Sequence, residues 1–251
     1  MTRGVNLPGT LFLVALAGLW QLAAFLVDSP TFPSFATVVG TLIGDLGVLL
    51  NELGHTLLRA SVGFGLALGT MLPLGIFLGR VRILGDIIEP VIELVRPLPP
   101  IALIPVWMIF LGIGDAAKIA VVAYGASFPI LINAIDAVRS LHPMLSHVAR
   151  SLRLTRAERM RFVDLPAALP RIAAGIRLSI AVSLLLAVVA EMLLSTDGLG
   201  AFLVRSQESF RIDDVLATLL LIVLVSLVAN LATEAIQRKL LAWHHASAGV
   251  R

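Results

Sequence analysis

Six stretches of this chain, about Thr10 to Val27, Thr56 to Gly79, Ile87 to Leu111, Ala116 to Asp136, Ile172 to Leu194 and Asp213 to Ile236, are long, apolar and nearly uncharged. Each is close to the roughly 20 residues that an α-helix needs to cross about 30 Å of hydrocarbon. Lipid offers nothing to bond the backbone N–H and C=O groups, so such stretches must be helices. Composition agrees: only 14% of residues are charged, against about 25% in soluble domains. The expectation is an all-α integral membrane protein, one domain over residues 1–251, with about six transmembrane helices.

Charge fixes the sides. Between His147 and Pro166 lies a polar island with five arginines, Arg150, Arg153, Arg156, Arg159 and Arg161. Positive residues collect on the cytoplasmic side, so this island is expected inside, and six crossings then put both termini inside. Thirteen Lys/Arg fall on the inner side: Arg3, Arg80, Arg82, Arg139, the five of the island, Arg171, Arg238, Lys239 and Arg251. Four (Arg59, Lys118, Arg205 and Arg211) fall outside, and Arg96 and Arg177 lie within spans. The sequence pI of about 10.2 therefore reflects topology, and no nucleic-acid partner is expected. The first apolar stretch follows only Arg3 and lacks a small-residue cleavage site, so it reads as a retained span. Ser34 to Leu50 follows Pro33 and reads as a short interfacial helix.

Two spans are unusual. The second carries Gly65 with Gly69 and Gly75 with Gly79, four-residue spacings that suit close helix approach. The third places Arg96, Pro97, Pro99, Pro100 and Pro105 within thirteen residues, ELVRPLPPIALIP. Proline removes a donor and clashes with the preceding turn, and broken backbone in a bilayer must be shielded by protein or line a cavity. Either the third span is broken and lines something, or Ile87 to Val95 lies at the cytoplasmic surface and the crossing starts near Leu98.

Catalytic patterns are missing. With no cysteine, disulfides and thiolate metal sites are excluded. The five histidines show no metal-ligand spacing, GIGDAAK (Gly112 to Lys118) is not a nucleotide-binding loop, and no metal site or enzymatic activity is expected. The centres of the spans, around Leu103, Ala126, Leu184 and Val223, hold no carboxylate chain, which argues against a proton-coupled carrier.

The island resembles the EAA signature of bacterial ABC importer permeases: Glu-Ala-Ala, three residues, Gly, nine residues, then Ile-x-Leu-Pro. His147, Val148 and Ala149 stand at its opening, Arg153 at the glycine, and Val163, Asp164, Leu165 and Pro166 at its close. EPVIELVRPLPPIALIPVWMIFLGIGDAAKI, FPILINAI, LPAALPRIAAGIRLSI, VVAEMLLSTDGLG and QRKLLAWH are similar to the nitrate, sulfonate and taurine branch, nearest to its taurine and aliphatic sulfonate permeases. The resemblance implies a type I ABC importer permease in a bacterial inner membrane, itself non-catalytic. Implied partners are a second copy, two cytoplasmic ATPases that bind ATP and Mg, and a periplasmic or lipid-anchored solute-binding protein. The loop over about 139–171 would form coupling helices gripped by the ATPase, through His147, Val148, Ala149, Arg150, Leu152, Arg153, Arg156, Ala157, Glu158, Val163, Leu165 and Pro166. Leu152, Leu154, Met160 and Phe162 would be apolar anchors within a charged rim.

Two residues depart from the signature: His147 replaces the acidic opening residue, and Arg153 replaces a glycine where a positive φ would cost about 1 kcal/mol. The implied cargo is a small oxyanion such as taurine or another sulfonate, with nitrate, bicarbonate or another small solute as alternatives. Arg96, Pro97, Pro99 and Glu191 are candidates for its path. A competing reading is a subunit that only anchors a cytoplasmic partner.

Overall fold

All six apolar stretches are built from helix in the structure, a computed structural model that describes residues 7–27, 29 and 31–241. The terminal residues Arg3, His244, His245 and Arg251 lie outside the described residues, and with them the expected placement of both termini. The first helix, α1 (Leu7–Val27), is followed by α2 (Phe35–Gly44). Ser34 caps α2 by accepting from the Thr37 amide, which leaves one fewer orphan donor at its start. Trp20 of α1 sits edge-on to Phe35 at 5.6 Å and donates to the Pro33 carbonyl at 3.1 Å.

Next come α3 (Leu46–Arg80), α4 (Arg82–Val95), a 3-10 turn at Pro100–Leu103, α5 (Ile104–Leu111) and α6 (Asp115–Arg139). Beyond them lie α7 (Pro143–Ser151), α8 (Arg156–Arg159), a π-helical turn at Met160–Asp164, α9 (Leu165–Leu194), α10 (Leu199–Glu208) and α11 (Ile212–Leu240). There is no strand among the described residues. Four helices or continuous helical runs are long and apolar enough to span a bilayer: Leu46–Arg80, Asp115–Arg139, Arg156–Leu194 and Ile212–Leu240. The pair α4 and α5 makes a fifth, bent by 86° between its arms, and Leu11–Val27 of α1 is a shorter apolar helix. These elements occupy the six stretches expected as spans, and the abnormality expected of the third takes the form of a break. The third is not one continuous helix, because Pro97, Pro99 and Pro100 cannot continue the backbone ladder.

The core is α3, α6 and α9. Arg59, in the first half of α3, meets Asp115 at the start of α6, and Gly79 near the end of α3 meets Val138 near the end of α6. These two helices therefore run parallel, so α4 and α5 must return the chain across the bundle between them. Small residues set the spacing: a methyl group added at Gly75 would meet Ala134 Cβ at 2.7 Å and the Leu131 carbonyl oxygen at 2.8 Å. One added at Gly79 would meet Val138 Cβ at 2.8 Å. Gly65 and Gly69 face open space, so of the two expected glycine pairs only Gly75 with Gly79 lies in this seam, and Gly63 joins it against Val122.

Candidate functional site

The arginine-rich loop between α6 and α9 is a helical hairpin. Its first arm, α7, starts with His142 accepting from the Met144 amide and ends at Leu152. There Arg153 adopts φ +52°, its amide bonds to the Arg150 carbonyl, and the Leu154 amide bonds to the Ala149 carbonyl, both at 3.0 Å. That pair of bonds is the Schellman ending, whose left-handed position is usually glycine. The positive φ anticipated at Arg153 is present, and no glycine relieves it. The second arm opens on a capping box: Thr155 accepts from the Glu158 amide, and the Glu158 carboxylate accepts from the Thr155 amide at 2.8 Å. The sequence T-x-x-E announces this motif, a local signal for the start of the arm beyond the coupling helices that the resemblance implied.

The expected loop residues divide by exposure. His147, Val148, Arg150, Leu152, Arg153, Arg156, Ala157, Glu158 and Leu165 are exposed, and Val163 and Pro166 are partly covered. Ala149 is buried and belongs to the packing of the loop, not to its outer surface. Among the proposed anchors, Leu152 is 65% and Phe162 64% exposed. Met160 instead lies against the Arg80 guanidinium at 2.7 Å, and Leu154 is partly covered. Asp164 is the buried acid here, 6% exposed; it accepts from Arg159 Nε at 3.3 Å and lies 3.8 Å from Arg80 Nη2.

At the opposite end of the bundle is a constellation that sequence reading left as separate outer charges. Arg59, 1% exposed, donates to Glu191 Oε1 at 2.7 Å, to Asp197 Oδ1 at 2.6 Å and to Asp115 Oδ1 at 2.9 Å. Lys118 bridges Asp115 and Ser195, each at 2.9 Å. Glu191, with no exposed surface, also accepts from Thr56 Oγ1 at 2.8 Å and from the Gly200 amide at 3.1 Å. Glu52 accepts from the Gly198 amide and from Arg205, and Thr56 accepts from the Leu199 amide. Two carboxylates and a hydroxyl thus meet the first N–H groups of α10, where the helix dipole favours negative charge. The Ser195 hydroxyl and then the Arg59 guanidinium hold the Asp197 carboxyl down to about 2.

Of the four expected path residues, Arg96, Pro97 and Pro99 are exposed at the break after α4, while Glu191 is sealed in the ion network. The structure does not bring them together. Tyr124 of α6 donates to the Val95 carbonyl at 2.9 Å, which also accepts from the Leu98 amide at 3.1 Å; Pro99, at the position that would continue the helix, has no N–H to offer. Arg96 borders a small cavity of about 110 Å³ whose rim also carries Glu89, Glu93, Asp136 and Arg139. Arg139 is engaged by Asp86 and Glu89, so the rim is more acidic than basic and is poorly suited to an anion. No group of residues able to hold a metal ion occurs among the described residues.

Comparison with known proteins adds four findings. Residues 71–242 match the family model of binding-protein-dependent transport system inner membrane components. The chain is 32% identical to the taurine transport system permease protein TauC of Escherichia coli, over 97% of this chain and 92% of that protein. It is 30% identical to the nitrate import permease protein NrtB of Synechocystis, over 82% of this chain and 72% of that one. Among solved structures, an inward-facing conformation of the MetNI methionine ABC transporter superposes with a TM-score of 0.68 at 19% identity, covering 78% of this chain and 98% of that one.

Proposed function

From the membership of this chain in the family of binding-protein-dependent transport system inner membrane components, we propose that it is the permease subunit of an ATP-driven importer for a small oxyanion, taurine or another sulfonate. The observation that carries this reading is the exposed hairpin of α7 and α8. It offers Leu152 and Phe162 as apolar knobs among arginines, the anchor-and-rim pattern of a protein-docking surface. The hairpin corresponds to the EAA signature, and a cytoplasmic ATPase grips it. Two permease copies assemble with two ATPases, which bind the ATP and Mg, and with a solute-binding protein outside. Both termini and the hairpin lie in the cytoplasm.

Closing of the ATPase pair moves the hairpin, and α9, continuous with it through the π-helical turn, relays that movement into the core. The binding protein supplies most of the selectivity. This agrees with the absence of a basic anion pocket at Arg96 and with the sealing of Glu191. Likeness to TauC favours a sulfonate cargo; likeness to NrtB supports nitrate as a second reading.

The test is uptake by vesicles holding the permease and its ATPase, with the binding protein outside and ATP enclosed. Taurine should accumulate only with hydrolysable ATP and binding protein together. Equal flux without ATP would mark a channel or carrier, and no flux under any condition would leave a membrane anchor.

A further inference from the structure

The hairpin has a second attachment to the core besides its chain connections, and it runs through Arg80, the last residue of α3. Arg80 reaches both ends of the π-helical turn: Nη1 contacts Met160 Sδ at 2.7 Å, and Nη2 lies 3.8 Å from Asp164 Oδ2. A π-turn is an uncommon geometry, found often at functional positions, and this one joins the hairpin to α9. Between Arg139 and Arg171 there are only two acids, Glu158 and Asp164. Glu158 is taken up by its capping box with Thr155. Asp164 is therefore the single carboxylate available to fasten the hairpin to α3.

We propose that Asp164 and Arg80 are positioning residues that transmit the hairpin's movement into α3 as well as α9, so that the core helices move together. The pair is only partly buried on the Arg80 side, and such pairs add little stability; its value is geometric. Beyond Arg80, α3 is locked to α6 along the Gly63, Gly75 and Gly79 seam. Beyond that seam it is tied to α9 by Arg59 and Glu191. A displacement entering at Asp164 thus reaches both ends of the three-helix core through an ion pair at one end, close packing along the seam and the Arg59 network at the other.

This rests on the reading of the hairpin as the ATPase-driven element. The experiment uses the complete complex in vesicles, measuring ATP hydrolysed and taurine accumulated in parallel. In Asp164→Asn and Arg80→Gln, uptake per ATP should fall about tenfold, in the range by which coupling residues act, while Arg80→Lys should keep most of it. Should Asp164→Asn fail to co-purify with the ATPase, Arg80→Gln, at an accessible helix end, decides the matter alone. Unchanged uptake per ATP in Arg80→Gln, or an equal loss in Arg80→Lys, overturns the proposal. Wild-type uptake that ignores ATP would instead overturn the functional reading beneath it.

Discussion

A cation and a carboxylate buried together are costly to separate: removing one partner of such a pair destabilises by about 3–5 kcal/mol, because the other charge remains in a dry site. Arg59 and Glu191 are such a pair. Arg59→Ala should lower the unfolding temperature of the purified protein markedly, and adding Glu191→Ala should return part of the loss; additive losses would contradict the pairing. Asp197 makes a pH-dependent contribution. Its carboxyl is lowered from 3.8 to about 2 by Ser195 and Arg59, so its stabilisation is complete above the unfolded value and fades as pH falls towards 2. The stability difference between wild type and Asp197→Asn should therefore be constant above about pH 5 and vanish towards pH 2, as read by thermal unfolding in detergent. In the hairpin, Arg153 carries the strain of a left-handed residue. Arg153→Gly should be tolerated, whereas Arg153→Asp should uncouple transport by inverting charge on the docking face; unchanged ATP-driven uptake with aspartate there refutes that.

At the scale of elements, the seam between α3 and α6 separates glycines that matter from glycines that do not. Gly75→Val forces the two helices apart, since even one methyl group meets Ala134 and Leu131 below contact distance. Gly65→Ala and Gly69→Ala add a methyl into open space. The valine variant should lose folded yield and thermal stability, and the two alanine variants should match wild type. Sequence spacing alone could not make this distinction, because both pairs are four apart and the facing side is set by α6. The same limit explains the ion network. Arg59, Asp115, Lys118 and Glu191 all sit near the expected outer ends of spans, so their common level was legible, but which helices adjoin was not. By contrast, the hairpin was readable in detail. Its turn position, capped second arm and proline-bounded close are local features, fixed by residues within a few positions of one another. The break at Pro97 to Pro100 was equally local; the 86° between its arms was not, because it depends on how α4 and α5 pack on α6.

For the whole molecule, the core has charged contacts towards both ends, Arg59 with Glu191 and Arg80 with Asp164, joined along α3 by a glycine-packed seam against α6. That arrangement suits a body that moves as a unit when pushed at one end. The central claim is that the pushed end is the arginine-rich hairpin, and that it lies in the cytoplasm against an ATPase. Because the chain has no cysteine, a single thiol at Leu152→Cys reports cleanly. In intact cells this thiol should resist a membrane-impermeant maleimide, and in the assembled complex it should cross-link to a cysteine on the ATPase, stopping uptake until reduced. Labelling from outside, or a hairpin that never cross-links in an actively transporting complex, would contradict the account.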